Sequence, residues 1–242
     1  MRVVLSWRHE QQAVLLRLGP RAPQERRPPG RTREEIVAAA VELLDQEGLG
    51  GLSMRKLGAK LDAGATSLYW YVAHKDELLE LAYDEVWAEM TVPDPDEVGW
   101  RDATSVLAYS MREVILRHPW SGDLIGRLPA LGPHAMRVAD RMRRMFKAAG
   151  FKGFDVDFAG STLTAYVFGM TIPEIAWNAT MGDRDYDADE MRATVRKAAA
   201  AHPEMLESID MDVYDDPDAI RALCFDFGLV SLLDGLERRL AP

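Results

Sequence analysis

Leu52-Ser53-Met54-Arg55-Lys56-Leu57-Gly58-Ala59-Lys60-Leu61-Asp62-Ala63-Gly64-Ala65-Thr66-Ser67-Leu68-Tyr69-Trp70-Tyr71-Val72 is the stretch that decides the fold. Ser53 is a good N-cap, and Met54, Leu57 and Leu61 share one face of the short helix that follows. Asp62-Ala63-Gly64 makes a tight turn. A second short helix then spans about 65–72, with Leu68 as its anchor. It presents small polar and aromatic residues in place of a long apolar face. This is the layout of a helix-turn-helix, whose second helix enters the DNA major groove.

The flanking residues complete a small domain. Thr32-Arg33-Glu34-Glu35 is a capping box, with Thr32 accepting from an orphan amide and Glu35 returning the bond. Ile36, Ala40, Leu43 and Leu44 follow at helical spacing, and Gly48 closes the helix because glycine takes a left-handed conformation without strain. Lys75-Asp76-Glu77-Leu78-Leu79 opens a fourth helix reaching about residue 90, which ties the first three to the rest of the chain.

Beyond the turn-rich Val92-Pro93-Asp94-Pro95-Asp96, helices are expected at about 99–117, 121–128, 134–149, 155–178, 187–201 and 216–239. Pro119, Pro129, Pro133, Gly150, Gly182, Pro203 and Pro217 mark most of the breaks. No sustained β-branched alternation reads as strand. The gap at 202–215, with Asp210, Asp212 and Asp215 leading to Asp216, reads as a solvated acidic loop, without calcium-loop spacing. The fold class is therefore all-α. A mobile basic extension at 1–30, rich in Pro and Arg, precedes the helix-turn-helix domain at 31–76 and a larger helical domain at 77–242.

Charge divides along the same line. The chain of 242 residues carries a net charge of −10, yet residues 1–75 hold 12 Lys and Arg against 8 Asp and Glu, a net +4. Residues 76–242 hold 17 against 31, a net −14. An acidic body repels DNA and restricts contact to the basic end. Cys224 is the single cysteine, which excludes an internal disulfide and fits a reducing cytoplasm; its apolar helical setting suggests a buried, inert thiol. No apolar run approaches the roughly 20 residues that span a bilayer. The chain holds no Gly-x-Ser-x-Gly elbow, phosphate-cradling glycine loop, cysteine pair or His-Glu zinc motif, so an enzyme finds little support and no cofactor is implied. Its five histidines show no ligand pairing at i, i+3 or i+4, and no metal site is expected.

With the helices placed, the chain resembles the TetR (tetracycline-repressor) family of bacterial transcriptional regulators. The matching pieces are Ile36 to Gly48, Leu52 to Leu57, and above all Leu68-Tyr69-Trp70-Tyr71-Val72 followed by Lys75 and Leu78-Leu79. Gly99-Trp100-Arg101, Leu116-Arg117-His118-Pro119-Trp120 and Leu131-Gly132-Pro133 resemble the C-terminal domain of the tetracycline-repressor subgroup, so the similarity covers about 31–240. Three positions depart from the pattern. Asp62 stands where the family usually has Gly, His74 is a poorer N-cap than the usual Ser or Asn, and Gly58 replaces Ala at a cost of roughly 1 kcal/mol in helix propensity.

The resemblance implies a double-stranded DNA operator as partner. Arg55 would reach phosphate or a guanine edge, Ala65 a thymine methyl, and Thr66 and Ser67 base edges. Tyr69, Trp70 and Tyr71 would lay aromatic bodies on the duplex, and Lys75 would bind phosphate. Arg26, Arg27, Arg31 and Arg33 would form an arm on the backbone or in a minor groove. The body would form a homodimer through the helices near 155–178 and 216–239, using Phe158, Leu163, Val167, Cys224, Phe227, Val230 and Leu233. It would also bind a small-molecule effector against Met111, Trp120, Met136, Met142, Met145, Tyr166, Met170 and Trp177, beside a kink at Pro173. The subgroup's magnesium–drug histidine has no counterpart in 121–128, so metal-dependent tetracycline recognition is not expected. The function implied is a repressor released from a palindromic operator by its effector. The alternative is an adaptor or architectural DNA-binding protein without ligand response.

Overall fold

The computed structural model describes residues 31–181, 187–206 and 216–240. The 1–30 extension and the 207–215 part of the acidic segment lie outside them. Among the described residues there is no strand, and the all-α expectation holds.

The first helix, α1 (Arg33–Gly51), opens on the expected box: Thr32 Oγ1 accepts from Glu35 N at 3.2 Å and Glu35 Oε2 from Thr32 N at 3.0 Å. At Gly48 the backbone turns to φ 66°, which breaks the helix before its last three residues. Next come α2 (Met54–Lys60), capped by Ser53, and α3 (Ala65–Leu68), half the expected length. After Leu68 the chain continues in turns, with Tyr71 N and Val72 N both donating to Leu68 O. α4 (Lys75–Ala88) leads into the body. His74 proves a working cap: its Nδ1 accepts from Glu77 N at 3.0 Å, an imidazole nitrogen serving where a hydroxyl or carboxylate usually does.

The body begins with a single turn, α5 (Pro95–Val98), capped by Asp94 inside the expected break. α6 (Trp100–Arg117) follows, then a 3-10 turn at Pro119–Leu124. An α-helix over 121–128 is therefore incorrect. Pro119 starts the segment early, and Gly122 and Gly126 deprive it of helix-forming residues, Gly126 standing at φ 80°. α7 (Pro133–Ala149), α8 (Asp155–Met181), α9 (Ala188–Ala198), α10 (Pro203–Leu206) and α11 (Pro217–Arg238) complete the chain. α8 runs unbroken across Pro173. α10 puts a helical turn into the segment read as loop.

A contiguous apolar core runs from Ile36 to Leu236 and joins head to body. Ile36, Leu44, Leu57, Leu68, Val72 and Leu78 bury the head's interior almost completely. Each such side chain contributes about 2 kcal/mol of transfer free energy, which is what orders so short a helix as α3. α4 docks on α7 through a buried carboxylate. Asp84 accepts from the backbone amides of His134 (3.1 Å) and Ala135 (2.9 Å), capping α7 from a neighbouring helix. Gly132 is required there, since a Cβ would fall 2.2 Å from the Asp84 carboxyl carbon.

Candidate nucleic-acid interface and body sites

The angle between α2 and α3 is set by two local features. Asp62 adopts φ 47°, a left-handed value that aspartate tolerates better than most residues. Ala63 N donates to Gly58 O at 2.8 Å, and a Cβ on Gly58 would stand 2.7 Å from Ala63 O. Gly58 is thus the point where α2 and the turn touch backbone to backbone. Its loss of helix propensity is compensated by that approach, which the sequence reading treated only as a weakness.

The exposed residues of this unit divide sharply. Tyr69 is 49% and Trp70 60% exposed, side by side beyond α3, and Thr66 is exposed one turn earlier. Tyr71 is only 7% exposed and belongs to the core, so its ring cannot lie on a duplex. That corrects its assignment: with the chain turning tightly after Leu68, Tyr71 points inward beside Val72. Ser67 is half-buried and its Oγ donates to Gly64 O at 2.7 Å, which commits the hydroxyl hydrogen locally. Ala65 is half-buried against the core.

The cations divide as well. Lys56 pairs with Glu47, and Lys60 with Glu42 at 2.9 Å, both partners on α1. Arg33 pairs with Glu77, which is buried and also accepts from Ala73 N at 2.6 Å. Arg33 therefore locks α1 to the start of α4 and does not serve the basic arm expected of it. Arg55 and Lys75 form no ion pair among the described residues and remain available to phosphate or base edges.

In the body, the eight residues expected around an effector differ in their surroundings among the described residues. Met111 and Met145 are fully buried core, and Trp120 is buried with its indole N–H donating to Asp45 Oδ1 at 2.7 Å. Met136 is exposed on α7. Tyr166 donates to Phe225 O at 2.6 Å, its ring seated in a notch that Gly228 leaves open. Met142 lines a groove of about 420 Å³ between α7 and α8 with Val156, Gly160, Thr164 and Phe168, edged by the Arg143–Asp157 pair. Met170 is half-buried against the core, and Trp177 lies under the Arg221 guanidinium at 5.5 Å.

That last contact belongs to a charged group the sequence reading missed. Buried Glu174 receives both Arg112 Nε (3.2 Å) and Nη2 (2.8 Å), with Arg112 also stacked over Phe225 at 5.3 Å. The available signal was Glu174 itself, a lone carboxylate on the apolar run around 163–175, which burial obliges to find a cation. Nearby, the Tyr109 hydroxyl donates to Asp226 at 2.7 Å, and that bond to an anion pushes its pKa up to about 12. Burial does the same to Tyr83.

The expected pairing residues separate too. Leu163, Val167 and Leu233 are buried within the protomer, so they cannot meet a partner. Phe158, Phe227 and Val230 are exposed, joined by Phe154 and Leu223. Cys224 is exposed on the same helix, not buried: Phe225, one position on and about 100° round α11, takes the inward place. A second concavity, of about 440 Å³, opens between Phe158 and Thr162 on α8 and Ser231 and Leu232 on α11. No helix among the described residues is long and apolar enough to cross a membrane.

Residues 36–82 match the family described as bacterial regulatory proteins, tetR family, and residues 92–240 match the tetracyclin repressor-like C-terminal domain. An HTH-type transcriptional regulator of Saccharopolyspora erythraea is 41% identical over 172 residues, covering 70% of this chain and 73% of its own length. The HTH-type transcriptional repressor DrrR1 of Streptomyces coeruleorubidus is 33% identical over 223 residues, covering 90% and 81%. Among solved structures, the Streptomyces coelicolor TetR family protein ActR in complex with actinorhodin superposes with a TM-score of 0.73 at 26% identity, covering 88% of this chain and 100% of its own. With both domain matches in register with the observed head and body, the chain belongs to the TetR family: it is a DNA-binding transcriptional regulator and not an enzyme.

Proposed function

We propose that the protein acts in the cytoplasm as a homodimeric repressor that reads a palindromic operator and leaves it when a small organic effector binds the body. The observation that carries this reading is the pair of exposed faces. Thr66, Tyr69 and Trp70 stand exposed at one end beside Arg55 and Lys75, which form no ion pair among the described residues, and Phe158, Phe227 and Val230 stand exposed on α8 and α11. The first face fits duplex DNA; the second fits its own copy, and two copies related by a two-fold axis would place two heads on two half-sites. ActR's complex with actinorhodin supports an organic molecule as effector, and the α7–α8 groove with Met142 is one place to receive it.

The test is fluorescence anisotropy on DNA from upstream of the protein's own gene, over a series of salt concentrations and with a small-molecule library. Salt-sensitive, sequence-preferring binding that a library member abolishes is the expected result. Binding without sequence preference there and at neighbouring promoters rejects the reading. Specific binding untouched by a library that also produces no thermal shift favours an architectural role.

A further inference from the structure

The turn at Pro119–Leu124 meets the head at a polar junction that none of the roles above uses. His118 closes α6 and Trp120 follows it, both buried. His118 Nδ1 lies 2.7 Å from Oδ1 of Asp45 on α1, and Trp120 Nε1 donates to that same oxygen at 2.7 Å. His118 Nε2 lies 3.2 Å from Oε1 of Glu89, the C-cap of α4, and Glu89 also accepts from Arg117. Two body side chains thus converge on one carboxylate oxygen of the head. The imidazole between them spans the head's two long helices.

Asp45 is badly placed by every local criterion. It sits in the last turn before the Gly48 break, where the helix dipole disfavours a negative charge, and aspartate is a poor residue for a helix interior. Its side chain is on the surface of α1, not in the head's core. Its only polar contacts among those described are to His118 and Trp120. The body therefore accounts for this residue; the head does not.

We propose that Asp45 is a positioning residue, fixing the angle of the reading head on the body and through it the spacing of the two heads in a dimer. The inference rests on the two-half-site reading above. Without the carboxylate, the Trp120 N–H and one side of His118 lose their partner while the head's own core is untouched. A rigid head freed at that point rocks about α4, and a small rotation there displaces α3 along the groove.

The test uses the full-length protein and duplexes selected with it from a random pool, offered as an isolated half-site, as the palindrome, and as palindromes with one base pair inserted or removed between half-sites. Asp45→Ala should bind the isolated half-site as the wild type does, bind the palindrome ten-fold or more weakly, and lose the preference for the wild-type spacing. Asp45→Asn keeps an oxygen for Trp120 and should fall between. Trp120→Phe keeps a ring but no donor and should resemble the Asn variant. A spacing preference retained by Asp45→Ala overturns the proposal, as does a loss on the isolated half-site equal to that on the palindrome. A wild-type protein indifferent to spacing overturns the two-site reading itself, and the positioning role with it.

Discussion

Among the cations of the head, proximity to acid decides which are free for phosphate. Lys56 and Arg55 are neighbours on α2, yet Lys56 turns back to Glu47 on α1 while Arg55 has no acidic partner among the described residues. An exposed pair such as Lys56–Glu47 contributes under about 1 kcal/mol to stability, but its local neutrality still reduces what Lys56 offers to DNA. Arg55→Ala should therefore lower the slope of log K against log salt by about one, and Lys56→Ala by clearly less. Titration of both variants by anisotropy at several salt concentrations checks this. Uniform weakening across sequences marks Arg55 as a phosphate contact, and loss of preference at one base pair marks it as a base reader. Equal slopes for the two variants would show that the ion pair does not set availability.

At the scale of elements, the reading helix is a product of its surroundings. α3 has one helical turn, too short to persist alone, and it is held by Leu68 beneath and by the α2 turn at its start. Gly58 is the contact point. A Cβ there meets Ala63 O at 2.7 Å and Ala65 N at 3.2 Å, so any larger residue must push the start of α3 outward. Gly58→Val should cost about 1–3 kcal/mol through overpacking, and it should weaken operator binding more than ten-fold. A melting curve and an anisotropy titration measure both, and wild-type operator affinity in the Val variant would refute the contact's role. Propensity alone predicts the opposite sign for added side chain, which is why Gly58 was legible only as a defect. The caps at Thr32 and Ser53 and the φ of Asp62 were legible because each depends on a few consecutive residues. Tyr71, Arg33 and Asp84 were not, because each is decided by a residue far along the chain or by a turn whose tightness the pattern did not show. The same limit hid Glu174, whose partner lies 62 residues away on α6.

At the scale of the whole molecule, charge and apolar exposure point in different directions. Residues 1–75 carry a net +4 and residues 76–242 a net −14, so the second part of the chain repels DNA and the first attracts it. The body also leaves Phe158, Leu223, Phe227 and Val230 exposed on α8 and α11, with Phe154 exposed just before α8, and exposed large apolar side chains gathered on two helices mark an interaction surface. A stable dimer buries about 1,600 Å² in total, and two long helices from each copy are of the right size to supply it. Phe227, 78% exposed, makes the sharpest probe because it carries no part of the protomer's own core. Phe227→Glu should leave helical content unchanged, since the side chain is solvated in the single protomer. In the dimer, the same change would place two carboxylates against apolar surface near the two-fold axis, without partners. Sedimentation should then show a monomer at micromolar concentration. Affinity for the palindrome should fall about a hundred-fold, because one head must hold the DNA alone while half-site affinity stays the same. A Phe227→Glu protein that remains dimeric and keeps its operator affinity would place the pairing surface elsewhere, and the exposed aromatics of α8 and α11 would then need another partner.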